Sequence, residues 1–242
     1  MNIDNILKVN KNTIITVVGA GGKTSFINYL SNYYKNRFKI LLTTTTKIYV
    51  PGYINKENIF MTKYQDVLNS NDYDITVIGK YINKEEKIVG LSFDGLDKFT
   101  PNYELTLIEG DGSKMKKLKG WNNTEPVVYK NTTKTIGIID ITSLGIEISE
   151  ENIHRLNEFE KLTLKSKGIV EIDDLKKIIL NSNGLFKNSV GTKYLFINKV
   201  ENNYYEDKAI ELINLINKEN KNIKVFYGSL KNTNFKVMEN IW

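Results

Sequence analysis

Thr13-Ile-Ile-Thr-Val-Val-Gly-Ala-Gly-Gly-Lys-Thr-Ser25 predicts the elements at the centre of the fold. Its apolar first half predicts a buried strand, and the residues after Thr24 have the periodicity of a helix. The glycines between these two elements permit backbone angles that other residues avoid, so consecutive N–H groups can turn toward an anion. A strand, a glycine-rich turn and a helix N-terminus in this order predict a phosphate-binding loop.

The side chains that follow the glycines have suitable chemistry. A lysine at position 23 can reach β- and γ-phosphate oxygens, and the hydroxyl of Thr24 can ligate Mg²⁺. The loop is short, because Val17 stands where the usual pattern has its first glycine. It is closer to the compact loops of amide-forming ligases that use ATP than to those of small GTPases. The predicted nucleotide-binding residues here are Gly19, Ala20, Gly21, Gly22, Lys23, Thr24 and Ser25.

The order of predicted elements indicates the fold class. A second strand over residues 38–44 completes a βαβ unit with parallel strands. We therefore expect an α/β fold of the three-layer P-loop NTPase-like type, a mostly parallel sheet with helices on both faces. With 242 residues, the chain is expected to form one domain over 1–242, with a small inserted β-hairpin around 74–98.

Periodicity and turn residues predict the remaining elements. A helical turn is expected within residues 1–12. Strands are predicted at 58–62, 104–109, 135–142, 193–199 and 222–227, and helices at 63–70, 149–165, 170–180 and 206–218.

Two acids, Glu109 and Asp111, follow the apolar run Leu105-Thr-Leu-Ile108. A carboxylate at a strand end can hold the water ligands of Mg²⁺ or polarise an attacking group, so Glu109 and Asp111 are candidate catalytic and metal-site residues alongside Lys23. Their separate roles stay open, and Asp111-Gly-Ser could also be a plain turn. The following lysines, Lys114, Lys116, Lys117 and Lys119, are expected to be solvated, with contact to an anionic substrate as the alternative.

The run Thr43-Thr-Thr-Thr-Lys47 ends the second predicted strand. Threonine favours strands for its own reasons, but strand ends in such a sheet face the ligand crevice. Thr45 and Thr46 are therefore candidate Mg²⁺ ligands, directly or through water.

A further strand ends in Asn198-Lys199-x-Glu201. In guanine-nucleotide proteins, a strand-end Asn-Lys-x-Asp binds the base. The acid accepts hydrogen bonds from guanine N1–H and the 2-amino group, and the lysine stem covers the ring. Glu201 is one methylene longer than that aspartate, so the sequence favours guanine without deciding between ATP and GTP. His154 and Arg155 are neighbours in the predicted 149–165 helix and are candidate catalytic residues.

Composition excludes several classes of function. The net charge of +6 comes from dispersed lysines, and no recognition motif indicates nucleic-acid binding. The chain has no cysteine and a single histidine, so disulfides and a multi-histidine zinc site are excluded within one chain. With no apolar run of membrane-spanning length and no basic leader, we expect a cytoplasmic protein without a membrane partner.

In order along the chain, several stretches resemble the YqeC family. They are Val18 to Ser25, Thr43 to Lys47, Glu109-Gly-Asp-Gly-Ser-Lys114, Glu125-Pro-Val127, His154-Arg155 and Asn198-Lys199. The chain departs from the family at several positions. It has Gly110 where alanine is usual, Thr124 where histidine is usual and Glu201 where aspartate is usual, and it has Lys117, Trp121 and Tyr129 at positions around which the family has prolines.

The resemblance implies a P-loop nucleotide protein, with ATP or GTP and Mg²⁺ as cofactors, that acts in maturation of a selenium-dependent molybdenum hydroxylase. A nucleotide, and that hydroxylase or its molybdenum cofactor, are the implied partners. The resemblance also adds Glu125 to the candidate site and strengthens the case for His154 and Arg155. A metabolic phosphotransferase or ligase acting on a small acid, and a non-catalytic nucleotide-gated binding module, remain alternatives.

Overall fold

The structure is a computed structural model that describes residues 1–52, 54, 58–62 and 75–238. In these residues the helices are α1 Ile3–Leu7, α2 Lys23–Tyr34, α3 Phe93–Phe99, α4 Leu156–Thr163, α5 Ile172–Leu180 and α6 Asn203–Glu219. The strands are β1 Thr13–Gly19, β2 Ile40–Thr44, β3 Lys47–Tyr49, β4 Ile59–Met61, β5 Ile75–Gly79, β6 Tyr81–Ile82, β7 Lys87–Val89, β8 Leu105–Glu109, β9 Leu118–Lys119, β10 Lys134–Asp140, β11 Ile153–His154, β12 Thr192–Asn198, β13 Ile223–Ser229 and β14 Asn234–Lys236.

A nine-stranded sheet organises these elements, in the order β14-β13-β12-β10-β1-β8-β2-β5-β4. Every pairing in it is parallel except that of β14 with β13. The predicted βαβ unit is present, but β8 lies between β1 and β2. β1 therefore occupies the middle of the sheet, with the end of β8 on one side and the end of β10 on the other.

Alternating side chains divide the core between the two faces of the sheet. Leu105 and Leu107 of β8 pack in the core that includes α1 and α2, whereas Ile108 packs with α3. Leu195 and Ile197 of β12 belong to a core shared with α4, α5 and α6. This arrangement of helices on both faces of a mostly parallel sheet confirms the predicted α/β class.

Two smaller sheets complete the described structure. The antiparallel strands β6 and β7 form the predicted hairpin, and β3 joins β7 to make a three-stranded sheet. β5, which we predicted as part of the hairpin, instead lies in the main sheet. The other small sheet consists of two parallel two-residue strands, β9 and β11.

The predicted helix over residues 149–165 is wrong in its first half. Residues 153–154 form β11, and α4 begins only at Leu156. Arg155 has a φ of 60° in the left-handed region, which separates the strand from the helix. The predicted helix at 63–70 lies outside the described residues. No helix among the described residues is long and apolar enough to cross a membrane.

Replacement of Phe196 tests the packing of α2 on the sheet. Its buried ring lies 5.3 Å from the ring of Phe26 and 4.8 Å from that of Phe226, between centroids. We expect Phe196→Ala to lower the free energy of unfolding by about 3–5 kcal/mol, because it leaves a cavity. Tyr204→Ala, on an exposed part of α6, is the control in denaturant titrations; similar losses in both variants would contradict this packing.

Candidate functional site

The carboxyl ends of four adjacent strands bring polar residues to one edge of the sheet. β8 ends at Glu109 beside β1, and β10 and β12 end at Asp140 and Asn198, which are paired in register. Ligands bind at this edge in open α/β sheets, where the connections diverge to opposite sides. The loop after β1 is therefore surrounded by three strand ends.

The glycines of this loop are required by its geometry. Gly21 and Gly22 have φ angles of 85° and 133°, in a region that side chains disfavour. A Cβ on Gly21 would lie 2.3 Å from Cβ of Asp140, and a Cβ on Gly22 would lie 2.6 Å from the amide nitrogen of Asn198. α2 then begins at Lys23 with no side-chain cap at its N-terminus, so its first N–H groups remain available to an anion.

Lys23 is held inside the loop. Its Nζ donates to the Gly19 carbonyl at 2.5 Å and lies 3.4 Å from Oδ1 of Asp111. Its side chain is 3% exposed. The ammonium thus lies within the glycine-rich turn, and its predicted contact with phosphate remains a prediction.

Glu109 contacts the other side chain of the motif. The Thr24 hydroxyl donates to Oε2 of Glu109 at 2.9 Å. Burial raises the pKa of the Glu109 carboxyl, while Lys23 and the Thr24 hydrogen bond oppose that rise. The hydrogen bond places the Glu109 carboxylate and the Thr24 hydroxyl side by side, so both could contact the same ligand.

Asp111 has a different environment although it is only two residues further on. Its fully buried carboxylate accepts the Gly19 N–H at 3.0 and 3.1 Å and the Trp121 indole N–H at 2.7 Å. Burial alone would raise the pKa of Asp111, but Lys23 and Lys119 outweigh it and hold the pKa below its usual value. The two acids, whose roles the sequence left open, therefore have separate partners.

Lys119 continues this network away from the loop. Its ammonium lies 3.0 Å from Asp111 and 2.9 Å from Glu125, and Glu125 in turn pairs with Arg155 at 3.1 Å. The expectation that this lysine is solvated is wrong, because its side chain is completely buried. Two-residue pairing of β9 with β11 places Lys119 beside His154.

His154 and Arg155 are thus near the network, on a strand and a turn rather than on a helix. His154 is half-buried, and burial together with Lys119, Arg155, Lys114 and Lys116 lowers its pKa to about 4. The imidazole is therefore neutral at pH 7, and both its N–H and its free ring nitrogen can hydrogen-bond.

The threonines at the end of β2 lie next to Glu109. The Thr45 hydroxyl donates to the Val127 carbonyl at 2.7 Å, and the Thr46 hydroxyl lies 3.3 Å from that of Thr44. The Thr44 hydroxyl itself donates to the carbonyl of Glu109 at 2.8 Å. The Thr44 hydrogen bond ties the end of β2 to the last residue of β8.

The Asn-Lys-x-Glu segment packs against the glycine loop. Asn198 donates from its amide nitrogen to the Gly21 carbonyl at 2.9 Å, and Lys199 pairs with Asp140 at 2.5 Å. Glu201 is exposed, with Oε1 accepting from the Ser229 hydroxyl at 2.9 Å. Asn198 therefore links the end of β12 directly to the loop.

Sequence reasoning missed three members of this site. Asp140 ends an apolar strand as Glu109 does, and that signal was available. Lys119 lies within a run of lysines, and Trp121 has no neighbouring motif, so neither could be distinguished before the fold brought them to Asp111.

The strand, short glycine loop and helix at the middle of a mostly parallel sheet place the chain in the α/β class with a loop of P-loop type. The YqeC protein family matches residues 15–157, and the chain belongs to that family. The Uncharacterized protein YqeC of Escherichia coli (strain K12) is 28% identical over 184 residues, which cover 73% of this chain and 71% of that protein. The crystal structure of PAB0955, described as a GTPase in apo form from Pyrococcus abyssi, aligns with a TM-score of 0.34 at 13% identity over 92% of each chain.

Replacement of Lys119 tests the buried network. We expect Lys119→Met to lower the free energy of unfolding by about 3–5 kcal/mol, because Asp111 loses a cation while buried. Lys117→Met is the matched control, since Lys117 is exposed and two residues away. Equal effects of the two variants in denaturant titrations would contradict the network.

Proposed function

We propose that the protein binds a purine nucleoside triphosphate together with Mg²⁺, with the polyphosphate on residues 19–25. The observation that carries this proposal is the hydrogen bond from the Thr24 hydroxyl to Glu109, on a strand adjacent to β1. It joins a helix N-terminal hydroxyl to a strand-end carboxylate beside an N–H-rich loop. That combination suits a phosphate-bound divalent cation.

The oxygen donors at this position fit Mg²⁺. This ion is usually held by one or two protein oxygens, with phosphate and water oxygens completing its octahedron. Thr24 supplies a hydroxyl, and Glu109 supplies a carboxylate that can act directly or through water. The described residues contain no cluster of three or more acidic, histidine or cysteine side chains for an ion held by protein alone. Thr45 and Thr46 are secondary candidates, whereas Asp111 is committed to cations and N–H groups. When bound, Mg²⁺ would supply positive charge against the phosphate oxygens.

Lys23 would neutralise phosphate charge from within the loop. Its ammonium donates to the carbonyl of Gly19 and lies 3.4 Å from Oδ1 of Asp111. A polyphosphate is a stronger partner for an ammonium than a neutral carbonyl.

Guanine is the base that the chemistry favours. The Ser229 hydroxyl holds one oxygen of Glu201, and a cavity of about 150 Å³ is lined by Glu201 and Tyr227. A carboxylate can accept from guanine N1–H and the 2-amino group, whereas adenine presents an acceptor at N1. The stem of Lys199, whose ammonium is held by Asp140, would cover the ring.

The family resemblance provides a setting for this activity. We propose NTP-dependent maturation of a selenium-dependent molybdenum hydroxylase, with His154 or Arg155 contacting a substrate or transition state. One observation favours a second candidate, a phosphotransferase or ligase on a small acid. Arg155 connects to Lys23 through Glu125, Lys119 and Asp111, so an arginine that could hold such an acid is linked to the glycine loop by ion pairs.

The metal and phosphate contacts can be tested separately by calorimetry. We expect Lys23→Ala to weaken binding of Mg·GTP about 100-fold, through loss of a buried charge contact worth ~3 kcal/mol. Glu109→Gln should keep a hydrogen bond to Thr24. Because it removes the carboxylate charge, it should reduce the increase in GTP affinity that Mg²⁺ causes. Lys35→Ala, at the other end of α2, is the control. Absence of Mg·GTP and Mg·ATP binding to the unmodified protein would refute the proposal.

Base recognition can be reversed at Glu201. The amide NH₂ in Glu201→Gln is a hydrogen-bond donor that would face donors on guanine, so GTP affinity should fall about tenfold, ~1.4 kcal/mol. Xanthine has a carbonyl at C2, and the affinity for XTP should therefore rise in the same variant. Glu211→Gln, on the exposed side of α6, controls for loss of charge. An unchanged order of GTP, ATP and XTP affinities would exclude Glu201 from the base site.

A further inference from the structure

A cavity of about 300 Å³ opens between the loop after β8 and the start of α4. Its charged and polar lining includes Lys114, Lys116, His154, Arg155, Glu150 and Glu158. It lies outside the glycine loop. The proposed function places His154 or Arg155 at a substrate or transition state, but it assigns none of these six side chains to the metal or the base.

Arg155 has unused hydrogen-bonding capacity beside this cavity. Its Nη2 pairs with Glu125 at 3.1 Å, while its Nη1 is buried and has no hydrogen-bond partner among the described residues. A buried guanidinium N–H without a partner is costly. The Arg155 side chain is 22% exposed, so a ligand in the cavity can contact its accessible part. Arginine also binds planar or tetrahedral oxyanions well, because its donors form a fork.

The two lysines provide positive charge across the cavity from Arg155. Lys116 donates to the backbone carbonyls of Glu150 and Ile153, so its ammonium is held in place without a carboxylate. Lys114 is exposed at a left-handed backbone position, with a φ of 49°. Glu150 and Glu158 also line the cavity, but within the described residues neither forms an ion pair with these lysines.

His154 reports the sign of the local potential. The four charges that act most on its imidazole belong to Lys119, Arg155, Lys114 and Lys116, and all are cationic. The neutral ring can donate or accept a hydrogen bond without adding charge. The environment around it therefore favours an anion.

Ion pairs connect this cavity to the glycine loop. From Lys23 the contacts run to Asp111 at 3.4 Å, to Lys119 at 3.0 Å, to Glu125 at 2.9 Å and to Arg155 at 3.1 Å. Each member is at least largely buried. An anion on Arg155 would thus lie at the other end of a continuous charged network that begins at the proposed γ-phosphate position.

We propose that this cavity is a second-substrate site for a small oxyanion, a phosphate or carboxylate group held by Lys114, Lys116 and Arg155. Its description as a second-substrate site rests on the proposed nucleotide site, whereas the binding of the oxyanion does not. A nucleotide-using protein with such a site acts on a small acidic compound, in addition to or instead of water.

The single histidine of the chain makes the test specific. The imidazole NMR signals of the full chain are followed during titration with inorganic phosphate and, separately, acetate, with saturating Mg·GDP present to occupy the phosphate loop. We expect a saturable shift of the His154 signals. Lys114→Ala should raise the midpoint about tenfold, because it removes one exposed cation of the site. Lys117→Ala should leave the midpoint unchanged.

The possible outcomes separate this inference from the proposed function. A shift with both anions supports a general oxyanion site, and a shift with phosphate alone restricts it to phosphoryl groups. If GDP does not bind but phosphate still moves the His154 signals, the nucleotide proposal fails and the oxyanion site stands. Signals that do not move, or a midpoint that is identical in Lys114→Ala and the unmodified protein, would overturn the oxyanion site. Lys114 is exposed, so its replacement leaves the fold intact.

Discussion

The Asp111 carboxylate is buried completely, and the surrounding site depends on how its charge is balanced. A carboxylate removed from water needs cations and N–H donors on nearly every side. Asp111 obtains them from the Gly19 backbone, Lys23, Lys119 and Trp121. The first two belong to the glycine loop and the last two to the segment after β8. One buried charge therefore holds two distant segments in fixed positions.

The same arrangement separates two acids that are close in sequence. Glu109 bonds the Thr24 hydroxyl, and burial raises its pKa, whereas Asp111 is surrounded by cations that lower its pKa. Acidic residues with opposite shifts commonly have different roles in a site. Under the proposed function Glu109 would act on the metal, whereas Asp111 pairs with Lys23 and Lys119.

Local sequence patterns predicted the part of the structure that local interactions determine. The strand, glycine turn and helix around Gly19 to Lys23 follow from backbone freedom and hydrophobic periodicity. Parallel pairing brings the carboxyl ends of the strands to one edge of the sheet. This explains why Glu109, Asp111 and Asn198 lie near the loop, as their places at strand ends indicate. Their proposed roles in catalysis and binding remain predictions.

The remaining features depend on contacts between distant residues. β9 and β11 have two residues each, too few for a periodic signal, and they pair across more than thirty positions. Their pairing buries Lys119 and removes His154 from the helix that its acidic neighbours suggested. The left-handed backbone conformation of Arg155 could not be predicted, because nothing in its residue type favours a positive φ. Trp121 became informative only once its indole N–H was seen to meet Asp111.

The most direct test of the account is a crystal structure of the protein with Mg²⁺ and a non-hydrolysable GTP analogue. We expect the β- and γ-phosphates on the N–H groups of residues 21–24, the ion beside Thr24 and Glu109, and Asp111 still paired with Lys119. A polyphosphate located elsewhere, with the glycine loop making no contact to it, would contradict the central claim that this loop and its buried carboxylate form a nucleotide site.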